Sequence, residues 1–307
     1  MPMTKLPSSV KNYVESNYDT PVGLIGCRVA ASKLSFDCCE FDLAVFCNTY
    51  KNRNLLNIGK YTIEVITLPV DSRNVITLKD MCLVKDFATT YPLTTAHRHT
   101  IFKSRIDDTD YTRALLSHGK KKILESLFYF DRIGRAFKRN PVLGSMWLKL
   151  SAYEFLEGVV SLSGQRPMPF HELQQIRLID SDYQIVSNGI QIALDCIGIE
   201  RANRSTVSRS GLALERLYGN GYDKGLVFGK ISSLLRVGML PDCYYYIGKM
   251  AKKQLLKRDE RFYETYSKLV QIALDLSSDN QQNQKLHSEL SNTAKSILKY
   301  YRNISVA

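Results

Sequence analysis

The hydrophobic period of this chain changes near Tyr91-Pro92, and that change limits the folds open to it. Before it, short apolar and β-branched runs at about 22–27, 41–47 and 60–69 read as strands, with a polar loop over 48–57 and one more strand or hairpin over 74–86. A short amphipathic helix over 4–17, with Val10, Tyr13 and Val14 on one side, precedes them. Beyond the change, Leu115, Leu116, Ile123, Leu124, Leu127, Phe128, Ile133 and Phe137 recur at helical spacings through 110–139. Asn140-Pro141 ends that helix and starts another, which runs to about Gly164 through Trp147, Leu150 and Phe155. GQRPMPF is a turn, and further helices follow at about 170–180, 181–198, 205–218, 222–237, 242–257, 259–276 and 282–303. No fixed repeat period is present, so a tandem-repeat solenoid is not supported. The fold class is α+β: a mixed-sheet domain over 1–92, then a large all-helical region expected to form two bundles, over 93–180 and 181–307.

A chain of 307 residues, 44% hydrophobic and 23% charged, has the composition of a globular protein. No run reaches the length of a membrane span, and MPMTKLPSSVKNYVE has no apolar core of the kind a secretory signal carries. Seven cysteines without a CxxC pair suggest reduced thiols in a cytoplasmic protein. Residues 1–92 hold ten Lys or Arg against nine Asp or Glu, so nearly all of the +12 net charge lies beyond them. That distribution points to a polyanionic partner for the helical region, with nucleic acid first and a solvated basic face as the plain alternative.

Gly26 to Phe46, GCRVAASKLSFDCCEFDLAVF, carries the chemistry. Gly26-Cys27 is a tight turn, a polar loop follows, and an apolar strand begins beside two carboxylates. Glu40 and Asp42 are two apart, and a strand turns i and i+2 to one face. Two carboxylates held side by side repel each other, and a divalent cation between them, Mg²⁺ for hard oxygen ligands, relieves this. The competing reading is a solvated acidic pair at a strand edge.

A glycine turn, a spacer over 28–39 and then Glu-Phe-Asp-Leu resemble the signature of the DNA polymerase beta-like nucleotidyltransferase superfamily, over roughly residues 20–90. The resemblance implies two Mg²⁺ ions held by Glu40, Asp42 and a third carboxylate on a later strand. Glu64 in KYTIEVITLPV is the best match for the third, with Asp71 and Asp80 behind it. It also implies a nucleoside triphosphate, ATP by default, whose phosphates are cradled around Gly26, Cys27, Arg28, Ser32 and Lys33. Cys27 stands where that superfamily has serine, and a thiol is a weak hydrogen-bond donor; Ser32, Ser35 or backbone N–H groups would have to compensate. The block from Trp147 to Arg177 resembles the helical domain after the catalytic domain in kanamycin-type and archaeal nucleotidyltransferases, which makes Glu154 or Glu157 a possible base, against a plain place on a wet helix face.

Two basic, aromatic-rich helical segments are the expected contacts for RNA. Arg132, Arg135, Lys138 and Arg139 recur at spacings of three and four in the first, as do Lys249, Lys252, Lys253 and Lys257 in the second. Three adjacent tyrosines, Tyr244 to Tyr246, cannot all face away from the core. Arg113-x4-His118 fits the arginine–histidine pattern of helical RNases of the HEPN type, a short pattern that also arises by chance. His97-Arg98-His99 lacks zinc-ligand company, and Gly219, Gly221 and Gly225 lack the lysine of a P-loop.

Two functions from different classes follow. One is Mg²⁺-dependent transfer of a nucleoside monophosphate from ATP to a hydroxyl acceptor, RNA among the options. The other is a catalytically inactive nucleotidyltransferase fold that binds nucleic acid or a protein partner through its basic helices.

Overall fold

The computed structural model describes residues 6–20, 22–30, 34–47, 53–69, 108–179, 183–221 and 223–302. The chain divides into two compact units, 1–114 and 115–307.

The first unit is built on a four-stranded mixed sheet, in the order β1-β2-β4-β3. Its strands are β1 (Val22–Ile25), β2 (Phe41–Cys47), β3 (Arg53–Ile58) and β4 (Tyr61–Pro69). β1 runs antiparallel to β2, β2 parallel to β4, and β3 antiparallel to β4. Helix α1 (Ser8–Asn17) packs its buried Val10 and Val14 with Val22, Leu24, Phe41, Leu43, Val45, Ile63 and Val65. These sheet residues alternate in sequence, so one face of the sheet is the hydrophobic core and the intervening residues, Asp42 and Glu64 among them, belong to the other. A single helical turn, α2 (Cys27–Ala30), follows β1.

β3 replaces the second half of the expected polar loop. Its Asn54 and Asn57 are exposed positions of an edge strand, so its composition reads as loop while its backbone pairs with β4. Gly59, at φ +59°, opens the two-residue turn between Ile58 and Tyr61, a position where a hairpin favours glycine. The expected strand over 74–86 and the boundary at 92 lie outside the described residues.

The helical unit comprises α3 (Asp108–Arg139), α4 (Pro141–Leu162), α5 (Glu172–Arg177), α6 (Gln184–Ile197), α7 (Arg204–Tyr218), α8 (Lys224–Arg236), α9 (Leu240–Leu255), α10 (Glu260–Thr265), α11 (Ser267–Leu274) and α12 (Asn280–Arg302). Asn140 caps α4 by accepting from the Val142 N–H at 3.0 Å, and Pro141 fills the first turn where no donor is needed. Residues 115–307 form one compact unit, in which α4 packs against α6, α11 and α12.

α4 is buried on nearly every side from Gly144 to Leu162, and so is much of α9, including Tyr244, Tyr245 and Tyr246. Helices enclosed in this way are expected to be apolar all round. Both nevertheless carry charges, and the charges meet. Lys249 lies 3.0 Å from Glu157 and is ion-paired with Glu172, to which the Tyr245 hydroxyl also donates at 2.7 Å. Lys252 lies 2.7 Å and Lys122 2.9 Å from the two oxygens of Glu154, and Lys122 is also 3.4 Å from Glu157. Burial alone would raise the Glu157 carboxyl, but Lys249, Lys252 and Lys122 reverse that and hold it well below the usual range. Lys249 is held above its ordinary value because two carboxylates outweigh burial, whereas burial prevails at Lys252.

Lys149 is different. It is buried against neutral groups, donating to the Tyr244 hydroxyl at 2.8 Å and to the Leu274 carbonyl. Burial, reinforced by Arg201, lowers it from 10.5 to about 7.

Removing one partner of a buried ion pair leaves a charge in a medium that cannot solvate it. Lys249→Met should therefore cost about 3–5 kcal/mol in chemical denaturation. Lys253→Met, on an exposed position of the same helix, should stay within about 0.5 kcal/mol. Equal losses would show that the pairing contributes nothing. A second expectation concerns pH. Between about 7, the folded value of Lys149, and its ordinary 10.5, the unfolded chain holds more protons than the folded one. Stability from this group then rises with pH across that window, by at most about 1.4 kcal/mol per unit, with the full penalty below it and none above. Lys149→Met should flatten that rise in denaturation series at pH 7 to 9, and an unchanged slope would contradict it.

Candidate functional site

Glu40, Asp42 and Glu64 come together at the sheet of the first unit. Each offers a carboxylate oxygen, and the three oxygens lie within 4.8 Å of one another. Asp42 and Glu64 are direct partners in the parallel β2–β4 ladder, so the register itself places them side by side. Glu40 precedes β2 by one residue and shares the parity of Asp42. Glu64 is buried, while Glu40 and Asp42 are half-buried.

Gly26 closes one side of this cluster. It directly follows β1, whose Ile25 is the partner of Asp42 in the antiparallel ladder. A Cβ at Gly26 would stand 1.9 Å from Asp42 Oδ2, and the residue has φ +82°. Both the backbone angle and the space therefore require glycine here. The sequence shows a glycine turn; it does not show that the turn leans on the carboxylate.

Arg28 clamps the loop that leads into β2. Its Nε donates to the Glu40 carbonyl at 3.1 Å, and one terminal nitrogen donates to the Cys39 and Asp37 carbonyls at 2.5 and 3.3 Å. The guanidinium also lies 4.1 Å over the Phe41 ring. It thus positions Glu40, a role different from the expected cradle for phosphate. Cys27 is half-buried at the start of α2 and carries no disulfide. Ser32, Lys33, Asp71, Asp80 and the His97–His99 group lie outside the described residues.

The donor set fits a hard divalent cation. Carboxylate oxygens are what Mg²⁺ selects, and three of them converge here from two strands and the adjoining loop. The Asp42 carboxylate occupies the space that a Cβ at Gly26 would fill.

The residues expected to contact RNA divide into two kinds. Lys249 and Lys252 are buried and ion-paired, which corrects their expected role: an ammonium enclosed between carboxylates is not offered to a phosphate. Lys253 is exposed but 3.0 Å from Asp223, and Lys257 is exposed and donates to Gln254 at 3.4 Å. On α3, Arg132, Arg135 and Lys138 are all exposed. Arg132 also lies 5.0 Å over the Trp147 ring, and Arg135 is ion-paired with Asp131. The side chain of Arg139 lies outside the described residues.

Glu154 and Glu157 are members of the ion network, so they do not stand on a wet helix face, and lysines engage the oxygens that a base would use. His118 is 3.4 Å from Glu157 at the edge of that network. The network is not evident in the sequence, although Glu154/Glu157 and Lys249/Lys252 recur at the same spacing of three. Among the described residues no helix is long and apolar enough to cross a membrane. No family model matches this chain, and no curated protein matches it.

Gly26→Ala and Gly59→Ala separate the carboxylate contact from the backbone strain. Both glycines have positive φ, but a Cβ at Gly59 meets nothing within 4 Å. Gly59→Ala should lose about 1–2 kcal/mol for the angle alone. Gly26→Ala should lose clearly more, because Asp42 must also move. Equal losses in thermal denaturation would mean that Asp42 is not held against Gly26.

Proposed function

We propose that the first unit is the catalytic part of a Mg²⁺-dependent nucleotidyltransferase, moving a nucleoside monophosphate from a nucleoside triphosphate, ATP by default, to a hydroxyl acceptor. One observation carries this reading: Glu40, Asp42 and Glu64 converge, with the bare Cα of Gly26 set against Asp42. That is the combination the sequence resemblance implies.

In this reading the three carboxylates hold two ions. When bound, these supply positive charge to the triphosphate and make the acceptor hydroxyl a better nucleophile. The chain's own residues fix the donors. The β2–β4 register sets Asp42 beside Glu64, Arg28 tethers the loop that delivers Glu40, and Gly26 admits the Asp42 carboxylate against its bare Cα. The exposed Arg132, Arg135 and Lys138 favour RNA as the acceptor over a protein side chain or a small hydroxylated molecule.

A second reading, an inactive fold that binds nucleic acid or a protein, draws its support from Cys27. A thiol is a poor donor to phosphate, and neighbouring Arg28 is engaged with three backbone carbonyls.

The test is transfer of label from α-labelled ATP to RNA, together with calorimetry of ATP with and without Mg²⁺. Asp42→Asn should abolish transfer and leave the melting of the helical unit unchanged. Cys27→Ser should at least preserve transfer. Transfer that persists in Asp42→Asn would remove the carboxylate assignment, and no Mg²⁺-dependent heat at millimolar ATP would favour the inactive fold.

A further inference from the structure

A surface groove of about 420 Å³ in the helical unit is lined by Arg216, Leu217, Arg258, Phe262, Tyr266 and Leu269. It draws on the end of α7, the segment after α9, and α10 with the start of α11. Its size falls in the range of small-ligand sites. Two of its six lining residues are arginines and two are aromatic, and none is acidic.

The aromatic residues form a platform. Phe262 and Tyr266 have ring centroids 4.8 Å apart and tilted by 36°, and Tyr266 is 51% exposed. Beneath them, Tyr263 is buried, with its hydroxyl donating to the Leu255 and Arg258 carbonyls at 2.8 and 3.1 Å. Asp259 caps α10 by accepting from the Phe262 N–H at 2.9 Å. The platform is therefore anchored from both ends.

The arginines are held beside it without being neutralised. Arg258 stacks 5.1 Å over the Phe262 ring and reaches the Leu217 carbonyl at 3.5 Å. Arg216 is exposed on the other wall. Among the described residues neither is ion-paired with a carboxylate, whereas Lys249, Lys252 and Lys253 all are. Half-exposed rings beside unneutralised guanidinium groups match the two faces of a nucleotide unit, a base that stacks and a phosphodiester that carries charge.

We propose that this groove binds single-stranded nucleic acid, with a base stacked on Tyr266 and the adjoining phosphates met by Arg216 and Arg258. It is a binding site that does not depend on the carboxylate cluster of the first unit, and it takes the place of the buried Lys249 and Lys252 as the polyanion contact of this region.

The test uses the full chain without Mg²⁺ or nucleoside triphosphate, so its result is separate from that of Asp42→Asn. The probes are labelled adenine 12-mers of RNA and of single-stranded DNA, with inorganic polyphosphate of equal length as the charge control. Tyr266→Ala should weaken both oligonucleotides by roughly tenfold, because one stacked base is lost. Its polyphosphate binding should not change. Arg216→Gln with Arg258→Gln should weaken all three probes and reduce their salt dependence. Tyr266→Trp should retain binding, and its emission, taken as the difference from the parent chain with its single Trp147, should be quenched by the oligonucleotides alone. Binding of only one of the two oligonucleotides identifies the sugar as part of the ligand and still supports the site. Oligonucleotide affinity unchanged in Tyr266→Ala, or no quenching in Tyr266→Trp, would overturn the proposal.

Discussion

Lys249 lies out of water between Glu157 and Glu172, and the helical unit depends on that contact being made. The three residues come from α9, α4 and the first residue of α5, so one ammonium group fixes three elements against one another. A hydrophobic residue at the same place could fill the volume, but it would not specify which helix face meets which. Lys122 and Lys252 extend the same logic to Glu154 and to α3. The result is a core in which ion pairs join the helices and apolar burial provides most of the stabilisation.

In the first unit the same physics takes another form. The two-residue period of a strand and the parallel register of β2 with β4 set Asp42 beside Glu64, on the face opposite the hydrophobic core. Three carboxylates converge there, with the bare Cα of Gly26 set against Asp42, and oxygen donors at such spacing are of the kind a hard divalent cation takes.

The basic excess of the helical region is likewise of two kinds. Lys249 and Lys252 contribute to the net charge but not to the surface, while Arg132, Arg135, Lys138, Arg216 and Arg258 are exposed to solvent. A polyanion meets only the second kind. The exposed arginines on α3 and those in the groove beside Tyr266 come from different elements, so the charge of this region does not form one continuous stripe along a single helix.

The sequence by itself determined the α+β division, the strands that carry Asp42 and Glu64, the helix break at Asn140-Pro141 and the burial of tyrosine in 244–246. Each of these follows from local rules: periods of 2 and 3.6, proline geometry, and the parity of neighbouring residues. Only the tertiary structure decided that 53–58 is a strand, because an edge strand with polar residues on its open side has a loop's composition. It alone decided that Arg28 holds a loop and that Gly26 rests on Asp42, since both contacts join residues 12 and 16 positions apart. Lys249 and Lys252 show the limit most clearly. At helical spacing a lysine facing water and a lysine facing a buried carboxylate look the same, and the acids that distinguish them lie some 77 to 98 residues earlier in the chain.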